Sequence, residues 1–317
     1  MFLLNFVMIM NSTIDDFLHY MRYELNLSPR TVSLYRTNLT QWQQYNAGQH
    51  HRELDLTSVT ATDIRAWLVY RSSQGDSPGT LRHKVQALRA LYRYLMRKGI
   101  VNDNPAAQVE LAKLPRRLPH VVRDNVVDGI IDAPIDQDDF IAVRDNLIIM
   151  LLYETGIRRA ELIDLDNNKV DTTAQTIKVH GKRDKDRIIP IGPELCHAID
   201  HYRILRAELP IDSDCLLLTE HGRPLYPSLV YKIVHNALQQ AGATGRLSPH
   251  VLRHSFASTL LNHGAQLNSV KELLGHESLA ATQVYTHISL GELKQNYAAA
   301  HPRAAKDTKN PKIDKES

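Results

Sequence analysis

Six side chains in the second half of the sequence are of the types needed to cleave a phosphodiester bond. Spread over 128 positions, they are Arg158, Lys182, His250, Arg253, His276 and Tyr285. Cations stabilise the charge that develops on a phosphate under attack, and planar guanidinium groups can hold two of its oxygens at once. A tyrosine hydroxyl can attack the phosphorus when a base and cations activate it. The set therefore predicts phosphoryl-transfer chemistry with a tyrosine nucleophile.

Two of the arginines occur beside residues that would position them. Pro249 marks a helix start, and the spacing of three between His250 and Arg253 puts both side chains on one face near that end. Helix N-termini favour anions, so this pair suits a phosphate. Arg158 follows a helix break, and Glu161, three residues on, could hold it by a charge-assisted hydrogen bond. Taken singly, each pair could equally be a cap or a surface ion pair.

Five local motifs around these residues occur in the order that is typical of one known family. They are Thr155-Gly156-Ile157-Arg158-Arg159-Ala160-Glu161-Leu162, Gly181-Lys182, His250-Val251-Leu252-Arg253-His254, Leu274-Gly275-His276 and Val284-Tyr285-Thr286-His287. From about Met10 to about Ala300, the chain resembles the tyrosine recombinases, the phage-integrase family, and among them the Xer-type enzymes. Because five separate motifs must coincide, this resemblance is specific.

The resemblance implies a role for most of the six residues. Arg158 and Arg253 would clamp the non-bridging oxygens of the scissile phosphate. Tyr285 would be the nucleophile, His250 the candidate base, and His276 a hydrogen-bond donor to the phosphate. The chain has 13 tyrosines, and only its position nine residues after His276 distinguishes Tyr285 from a packing residue.

Lys182 is the preferred candidate for the general acid that protonates the leaving oxygen. Lys182 lies in a predicted hairpin turn, and general acid catalysis contributes roughly 10²- to 10⁴-fold. The family usually has glycine after this lysine, whereas this chain has Arg183. Lys185 is therefore the rival, and a solvated Lys/Arg run is the alternative in which neither acts. His254 and His287 are interpreted as structural.

The resemblance implies a complete reaction and its partners. Tyr285 would attack a phosphodiester of duplex DNA carrying a specific recombination site, giving a 3′-phosphotyrosyl intermediate and a free 5′-hydroxyl. The 5′-hydroxyl of a partner strand would then attack that ester, so neither ATP, a metal nor another cofactor is expected. Four protomers on two sites, a homo- or hetero-tetramer, would exchange strands. A sister recombinase and a DNA-translocase activator are candidate partners.

The absence of an arm-binding domain favours a Xer-type role, the resolution of chromosome dimers at cell division. An integrase or invertase of a mobile element would share this architecture. A type IB topoisomerase would use the same phosphate chemistry without exchanging partners. A DNA-binding protein with an inactive site is the alternative outside the enzymes.

Periodicity and composition divide the chain into four parts. Helical patterns and the resemblance predict an all-α N-terminal core-binding domain of the SAM-like type, followed by a mixed α+β, mainly helical, catalytic domain with a small β-sheet. Two prolines around two arginines form a linker between them. The predicted ranges are 10–113 for the first domain, 114–119 for the linker, 120–300 for the catalytic domain and 301–317 for a disordered polar tail.

Hydrophobic periodicity also predicts the elements of the catalytic domain. Strands are expected at about Thr176–His180 and Arg187–Ile191, which form a hairpin, and a further strand at Cys215–Thr219. Helices are expected at 139–153, 194–208, 227–241, 249–263, 267–274, 279–285 and 289–298. The resemblance implies that the last helix is passed to a neighbouring protomer, and packing on its own domain is the alternative.

Composition and charge narrow the class of protein. Residues 10–118 hold 15 Lys+Arg against 9 Asp+Glu, while residues 119–300 hold 18 against 23, so DNA contact by the second part must depend on a few placed cations.

The two cysteines have no CxxC spacing, which fits a reducing compartment. The apolar first ten residues are too short for a membrane span and lack the basic start of a signal peptide, although Met8 or Met10 is an alternative start. A cytoplasmic protein without a membrane partner is expected.

Overall fold

The computed structural model describes residues 13–50, 55–111, 121–181, 186–275 and 296–304, without the side chains of residues 49 and 50. The chain divides into two compact units between residues 117 and 118. The predicted linker, residues 114–119, lies outside the described ranges. No helix in the described part of the chain is long and apolar enough to span a membrane.

The N-terminal unit contains only helices among its described residues. In chain order they are α1 (residues 13–19, continued by the π-helical turn Tyr20–Glu24), α2 (Pro29–His50), α3 (Ala61–Ser73), α4 (Pro78–Arg97) and a 3₁₀ turn at Pro105–Gln108. The core lies around two tryptophans, Trp42 on α2 and Trp67 on α3, whose rings meet edge to face at 5.1 Å. The predicted all-α first domain is confirmed.

Local capping explains where these helices start. The pair Ser28-Pro29 predicts the start of α2, and Ser28 Oγ accepts from the Thr31 amide there. Ser77 Oγ caps α4 in the same way. The prediction for α1 needs one correction. The three- and four-residue spacing of Ile14, Phe17, Leu18, Met21 and Leu25 predicts one buried stripe, but Leu25 is 49% exposed because the helix ends at Glu24.

The C-terminal unit, which the sequence predicts to be the catalytic unit, is mainly helical with one small sheet. Its elements are α5 (Asp124–Ile131), α6 (Phe140–Thr155), α7 (Arg159–Ile163), β1 (Val170–Asp171), β2 (Thr176–His180), β3 (Asp186–Pro190), α8 (Pro193–Arg206), α9 (Pro227–Gln240), α10 (Pro249–Asn262), α11 (Leu267–Leu274) and α12 (residues 296–300). Five of the predicted helices, now α6 and α8 to α11, begin and end within two residues of their predicted bounds. The predicted helix at 279–285 lies outside the described residues.

Helix α6 forms the centre of this unit. Every residue from Leu147 to Thr155 is buried, and the helix packs against α8 on one side and α10 on another. A helix that is buried on all faces must be apolar all round, which is why this segment lacks the one-sided pattern of a surface helix. Its end therefore occurs inside the protein, where the candidate site begins.

The sheet is antiparallel, in the order β1-β2-β3. Ile177 pairs with Ile189, and both side chains are fully buried, so the hairpin lays its apolar face on the core. The two predicted strands of the hairpin are confirmed. The four residues between them, 182–185, are not among those described.

The strand predicted at Cys215–Thr219 is wrong. The segment forms isolated bridges at Cys215 and Leu218 instead. One reason is that the guanidinium of Arg206 takes the carbonyls of Ser213, Cys215 and Leu216, at 3.0, 2.8 and 3.0 Å. Those acceptors are thereby lost to any neighbouring strand.

The last described segment, residues 296–304, packs on the catalytic unit of the same chain. Tyr297 is buried in its core, and Arg303 is fully buried and contacts four acidic side chains. These belong to Asp128, Asp132, Glu154 and Glu194. Composition assigned residues 301–304 to a disordered tail, but they are ordered. A buried arginine must be paired with acidic groups, and this segment places Arg303 among such groups.

Candidate active site

The site begins where α6 ends. Gly156 closes the helix in the left-handed conformation, with φ of 60°, and a Cβ there would lie 2.3 Å from the Phe256 ring. Glycine is therefore required both by the backbone angle and by the close packing of α10. The turn places Arg158 at the start of α7 and leaves the Gly156 carbonyl facing Arg253, which donates to it at 2.5 Å.

Arg158 and Glu161 form the pair that the sequence predicted. Arg158 Nη1 donates to Glu161 Oε1 at 2.6 Å, and the Arg158 backbone N–H donates to Oε2 at 2.7 Å. One carboxylate thus holds both the side chain and the backbone of Arg158 at the helix start. The Arg158 side chain remains 29% exposed, so it is accessible to a ligand.

A third arginine, Arg187 at the start of β3, completes this cluster and was missed by sequence reasoning. Its Nη1 and Nη2 donate to the two oxygens of Glu161 at 3.0 and 2.8 Å, and its Nε donates to the Leu273 carbonyl at 2.8 Å. Burial raises the pKa of Glu161, but the hydrogen bonds from Arg187 and the Arg158 amide lower it more, to about 2. Glu161 is therefore ionised at neutral pH.

Arg253, on α10, lies at the same cluster as Arg158 and Arg187. Besides the Gly156 carbonyl, it donates through Nη2 to the Leu274 carbonyl at 2.6 Å. Burial, followed by the charge of Arg158, lowers the pKa of Arg253 to about 10, so the group stays protonated at neutral pH. A buried guanidinium of this kind supplies a fixed positive charge in a region poor in water.

The three arginines meet at the C-terminal end of α11. Arg187 donates to the carbonyl of Leu273, Arg253 to that of Leu274, and Arg158 to that of Gly275, the last at 2.9 Å. These carbonyls carry the negative end of the helix dipole, which favours cations. Among the described residues, Arg158 and Arg253 each use two of their five N–H groups, and the others can meet a phosphate.

His250 occupies the N-terminal turn of α10, one turn before Arg253, and is exposed. Burial of its ring, with the charge of Arg159 as the next cause, lowers the pKa of His250. A lower pKa keeps the imidazole neutral near pH 7, which is the form that can accept a proton. His254 is also exposed on α10.

Four candidates of the sequence analysis lie outside the described residues. They are Lys182, its rival Lys185, His276 and Tyr285, and His287 lies there too. The described part therefore brings together Arg158, Glu161 and Arg253, with His250 on the helix that carries Arg253. Three guanidinium groups and one carboxylate give this cluster a net charge of about +2, which suits a phosphodiester under attack.

Both units match one known family. Residues 120–291 match the phage integrase family, and residues 14–99 match the N-terminal SAM-like domain of phage integrases. The chain belongs to the phage integrase family. The predicted family and the predicted fold class are thereby confirmed.

Curated relatives agree with this membership. The chain is 34% identical over 295 residues to tyrosine recombinase XerD of Oceanobacillus iheyensis, covering 92% of this chain and 98% of the relative. It is 37% identical over 297 residues to tyrosine recombinase XerC of Azotobacter vinelandii, covering 93% and 97%. The predicted enzyme class, a tyrosine-type site-specific DNA recombinase, is confirmed.

Solved structures share the fold. The XerH site-specific recombinase bound to palindromic difH substrate, a post-cleavage complex, matches with a TM-score of 0.68 at 21% identity, covering 89% of this chain and 82% of that one. A lambda integrase (75–356) dimer bound to a COC′ core site matches with a TM-score of 0.65 at 16% identity, covering 88% and 98%. At these identities the likeness extends to the fold alone.

Proposed function

We propose that this tyrosine recombinase is a Xer-type enzyme that acts on duplex DNA in the cytoplasm and resolves chromosome dimers at cell division. Support comes from relatives named XerC and XerD, which match over more than nine-tenths of both chains. An integrase or invertase of a mobile element is the second candidate, favoured by the match of residues 120–291 to the phage integrase family.

The observation that carries the proposed chemistry is the meeting of Arg158 and Arg253. They are 95 positions apart in sequence, yet they donate to the neighbouring carbonyls of Gly275 and Leu274. Both cations are thus fixed beside the residue that precedes His276 in the chain. Such fixed donors are each worth about 3–4 kcal/mol in a transition state that develops charge.

The proposed reaction assigns one role to each candidate. His250 accepts the phenolic proton of Tyr285, whose oxygen attacks the scissile phosphorus. Arg158 and Arg253 stabilise the charge on the non-bridging oxygens, with His276 donating to the same phosphate. Lys182 protonates the departing 5′-oxygen, which leaves a 3′-phosphotyrosyl ester and a 5′-hydroxyl. Because that ester conserves the bond energy, rejoining to a partner strand needs no ATP.

The proposed assembly is a tetramer on two recombination sites. Relatives of both names, XerD and XerC, match at 34% and 37% identity, so identity does not select between a homo-tetramer and a hetero-tetramer with a sister recombinase. A DNA translocase is the proposed activator. Recombination assays with the chain alone, and with a sister chain and a translocase added, distinguish these arrangements.

The test of the nucleophile is a covalent trap. A nicked DNA substrate loses the short 5′-hydroxyl strand after cleavage, so the enzyme stays attached. We expect the wild-type chain to form this adduct and Tyr285→Phe to form none, while its affinity for DNA stays within threefold. Tyr226→Phe, at an exposed tyrosine in the same unit, is the matched control and should form the adduct. An adduct with Tyr285→Phe would refute the assignment.

Two further readouts separate the enzyme classes. Exchange of strands between two DNA sites identifies a recombinase, whereas relaxation of supercoils without exchange would indicate a topoisomerase. DNA binding without any adduct would indicate a protein with an inactive site.

For the general acid, a 5′-phosphorothiolate substrate, whose sulfur leaves without a proton, should rescue Lys182→Ala but not Arg158→Ala. Rescue of Lys185→Ala alone would transfer the role to Lys185.

A further inference from the structure

Arg187 belongs to the cluster but is held mainly by protein groups. Three of its five N–H groups donate to described protein acceptors, against two each for Arg158 and Arg253, and two of those three bind the carboxylate of Glu161. A guanidinium held in this way is poorly placed to bind a phosphate itself. Its contacts instead run to Glu161 and to the carbonyl of Leu273, both of which neighbour the clamp arginines.

We propose that Arg187 is a positioning residue of the recombinase reaction: it fixes Glu161 and the end of α11, and thereby holds Arg158 in place and leaves its charge available to the phosphate. This inference rests on the proposed function, because it assumes that Arg158 clamps the scissile phosphate. It adds to that function a residue on β3 that acts through Glu161 and Leu273.

The first effect of Arg187 is electrostatic. Glu161 accepts hydrogen bonds from both Arg158 and Arg187, and its side chain is 7% exposed. Arg187 makes the two-pronged contact that best matches a carboxylate, so the negative charge of Glu161 is balanced by Arg187. Without Arg187, Glu161 would neutralise Arg158 instead. The clamp would then offer the phosphate about one positive charge rather than two.

The second effect of Arg187 is geometric. Glu161 sets the side-chain direction of Arg158 through Oε1 and its backbone through Oε2. Arg187 donates to both oxygens of Glu161, and this restricts rotation of the carboxylate. The same guanidinium ties down Leu273, two residues before the Gly275 carbonyl to which Arg158 also donates. Loss of Arg187 would therefore loosen both anchors of Arg158 together.

The test compares cleavage rates with DNA affinity in the full-length protein. The variants are Arg187→Gln and Arg187→Lys, and the matched control is Arg206→Gln, a buried arginine in the same unit that donates to three backbone carbonyls on a different loop. Single-turnover adduct formation is measured on the nicked substrate at saturating DNA. The temperature is chosen so that circular dichroism shows each variant to be folded.

We expect Arg187→Gln to lower the cleavage rate by about 10- to 100-fold, the range seen when groups that orient catalytic ligands are lost. Its dissociation constant for DNA should stay within threefold. Arg187→Lys, which keeps the charge but not the fork, should recover part of the rate. Arg206→Gln should lower thermal stability but leave the rate within threefold. If Arg187→Gln does not fold, the rate of Arg187→Lys should lie at least fivefold below wild type.

A double-mutant comparison tests the route through Glu161. If Arg187 acts through Glu161 as well as through Leu273, adding Arg187→Gln to Glu161→Gln should slow cleavage by a smaller factor than Arg187→Gln slows the wild-type enzyme. Additive losses, or a Arg187→Gln rate equal to wild type in an active enzyme, would overturn the inference and leave the proposed function intact. A wild-type chain that binds the nicked substrate without forming an adduct would refute the proposed function itself.

Discussion

Replacing Gly156 by alanine should damage both the fold and the site. Gly156 has φ of 60°, a left-handed conformation that disfavours any residue with a Cβ. The added carbon would lie 2.3 and 2.8 Å from two atoms of the Phe256 ring and 3.0 Å from Leu274 Cδ2. Those contacts are too short, and the first two involve a ring locked in the core, so α10 or the turn must move.

The expected cost has two parts. The left-handed backbone costs about 1–2 kcal/mol for a residue other than glycine. Overpacking of a close-packed core costs a further 1–3 kcal/mol or so. Gly156→Ala should therefore lower the free energy of unfolding of the catalytic unit by about 2–5 kcal/mol. Because Phe256 lies one turn after Arg253 on α10, the cleavage rate should also fall in the folded variant.

Gly264→Ala provides the matched control. Gly264 also has a positive φ, 87°, in the same unit, but a Cβ there would meet nothing within 4 Å. It should therefore show the backbone cost alone, about 1–2 kcal/mol. The effect of alanine on the unfolded chain is common to both variants and cancels in their difference. That difference isolates the overlap with Phe256.

The assay is urea denaturation of the full-length chain with two probes. The chain has two tryptophans, Trp42 and Trp67, and both lie in the N-terminal unit, so their fluorescence reports that unit. Far-ultraviolet circular dichroism reports the helices of both units. Gly156→Ala should shift the dichroism transition and leave the fluorescence transition unchanged. If Gly156→Ala costs no more than Gly264→Ala, the steric reasoning is wrong.

Two predictions concern buried carboxylates. The pKa of Glu161 is about 2, against an ordinary 4.5, so the stabilisation from its ionised carboxylate is complete above pH 4.5 and is lost as pH falls toward 2. In that pH range the wild-type protein should lose stability relative to Glu161→Gln. Denaturation at a series of pH values measures this difference. Burial raises the pKa of Glu154 to about 8, so its contribution is complete below pH 4.5 and is lost as pH rises through 8. Wild type should therefore lose stability between pH 4.5 and 8 relative to Glu154→Gln, and equal pH profiles would contradict the protonated state.

Local signals in the sequence were sufficient for most helix ends. Pro249 starts α10, Ser28 caps α2 and Gly156 ends α6, each where the sequence predicted. Such ends depend on residues within one turn, so a single sequence contains the information. The same holds for the pairing of Arg158 with Glu161, three positions apart.

Contacts between distant residues explain what the sequence did not reveal. Arg187 reaches Glu161 over 26 positions and Leu273 over 86, and in the sequence it was only a charged residue in a β-rich run. Arg206 converts the segment after Ser213 from an expected strand into a loop by taking its carbonyls. Arg303 orders a polar segment because four carboxylates from other elements surround it. No periodicity records such partners.

The end of α11 explains how a cluster of like charges can be stable without a ligand. Three guanidinium groups within one site repel one another, and the charge of Arg158 adds to the larger effect of burial in lowering the pKa of Arg253. Glu161 balances one positive charge, and three successive carbonyls at the negative end of α11 offset part of the rest. The arginines are thus oriented before any DNA arrives, and little reorganisation is needed when charge develops on the phosphate. A substitution that removes one anchor should therefore slow cleavage more than it weakens DNA binding, because it disturbs the orientation of Arg158, which Glu161 and the Gly275 carbonyl fix together, and leaves the positive charges of the arginines in place.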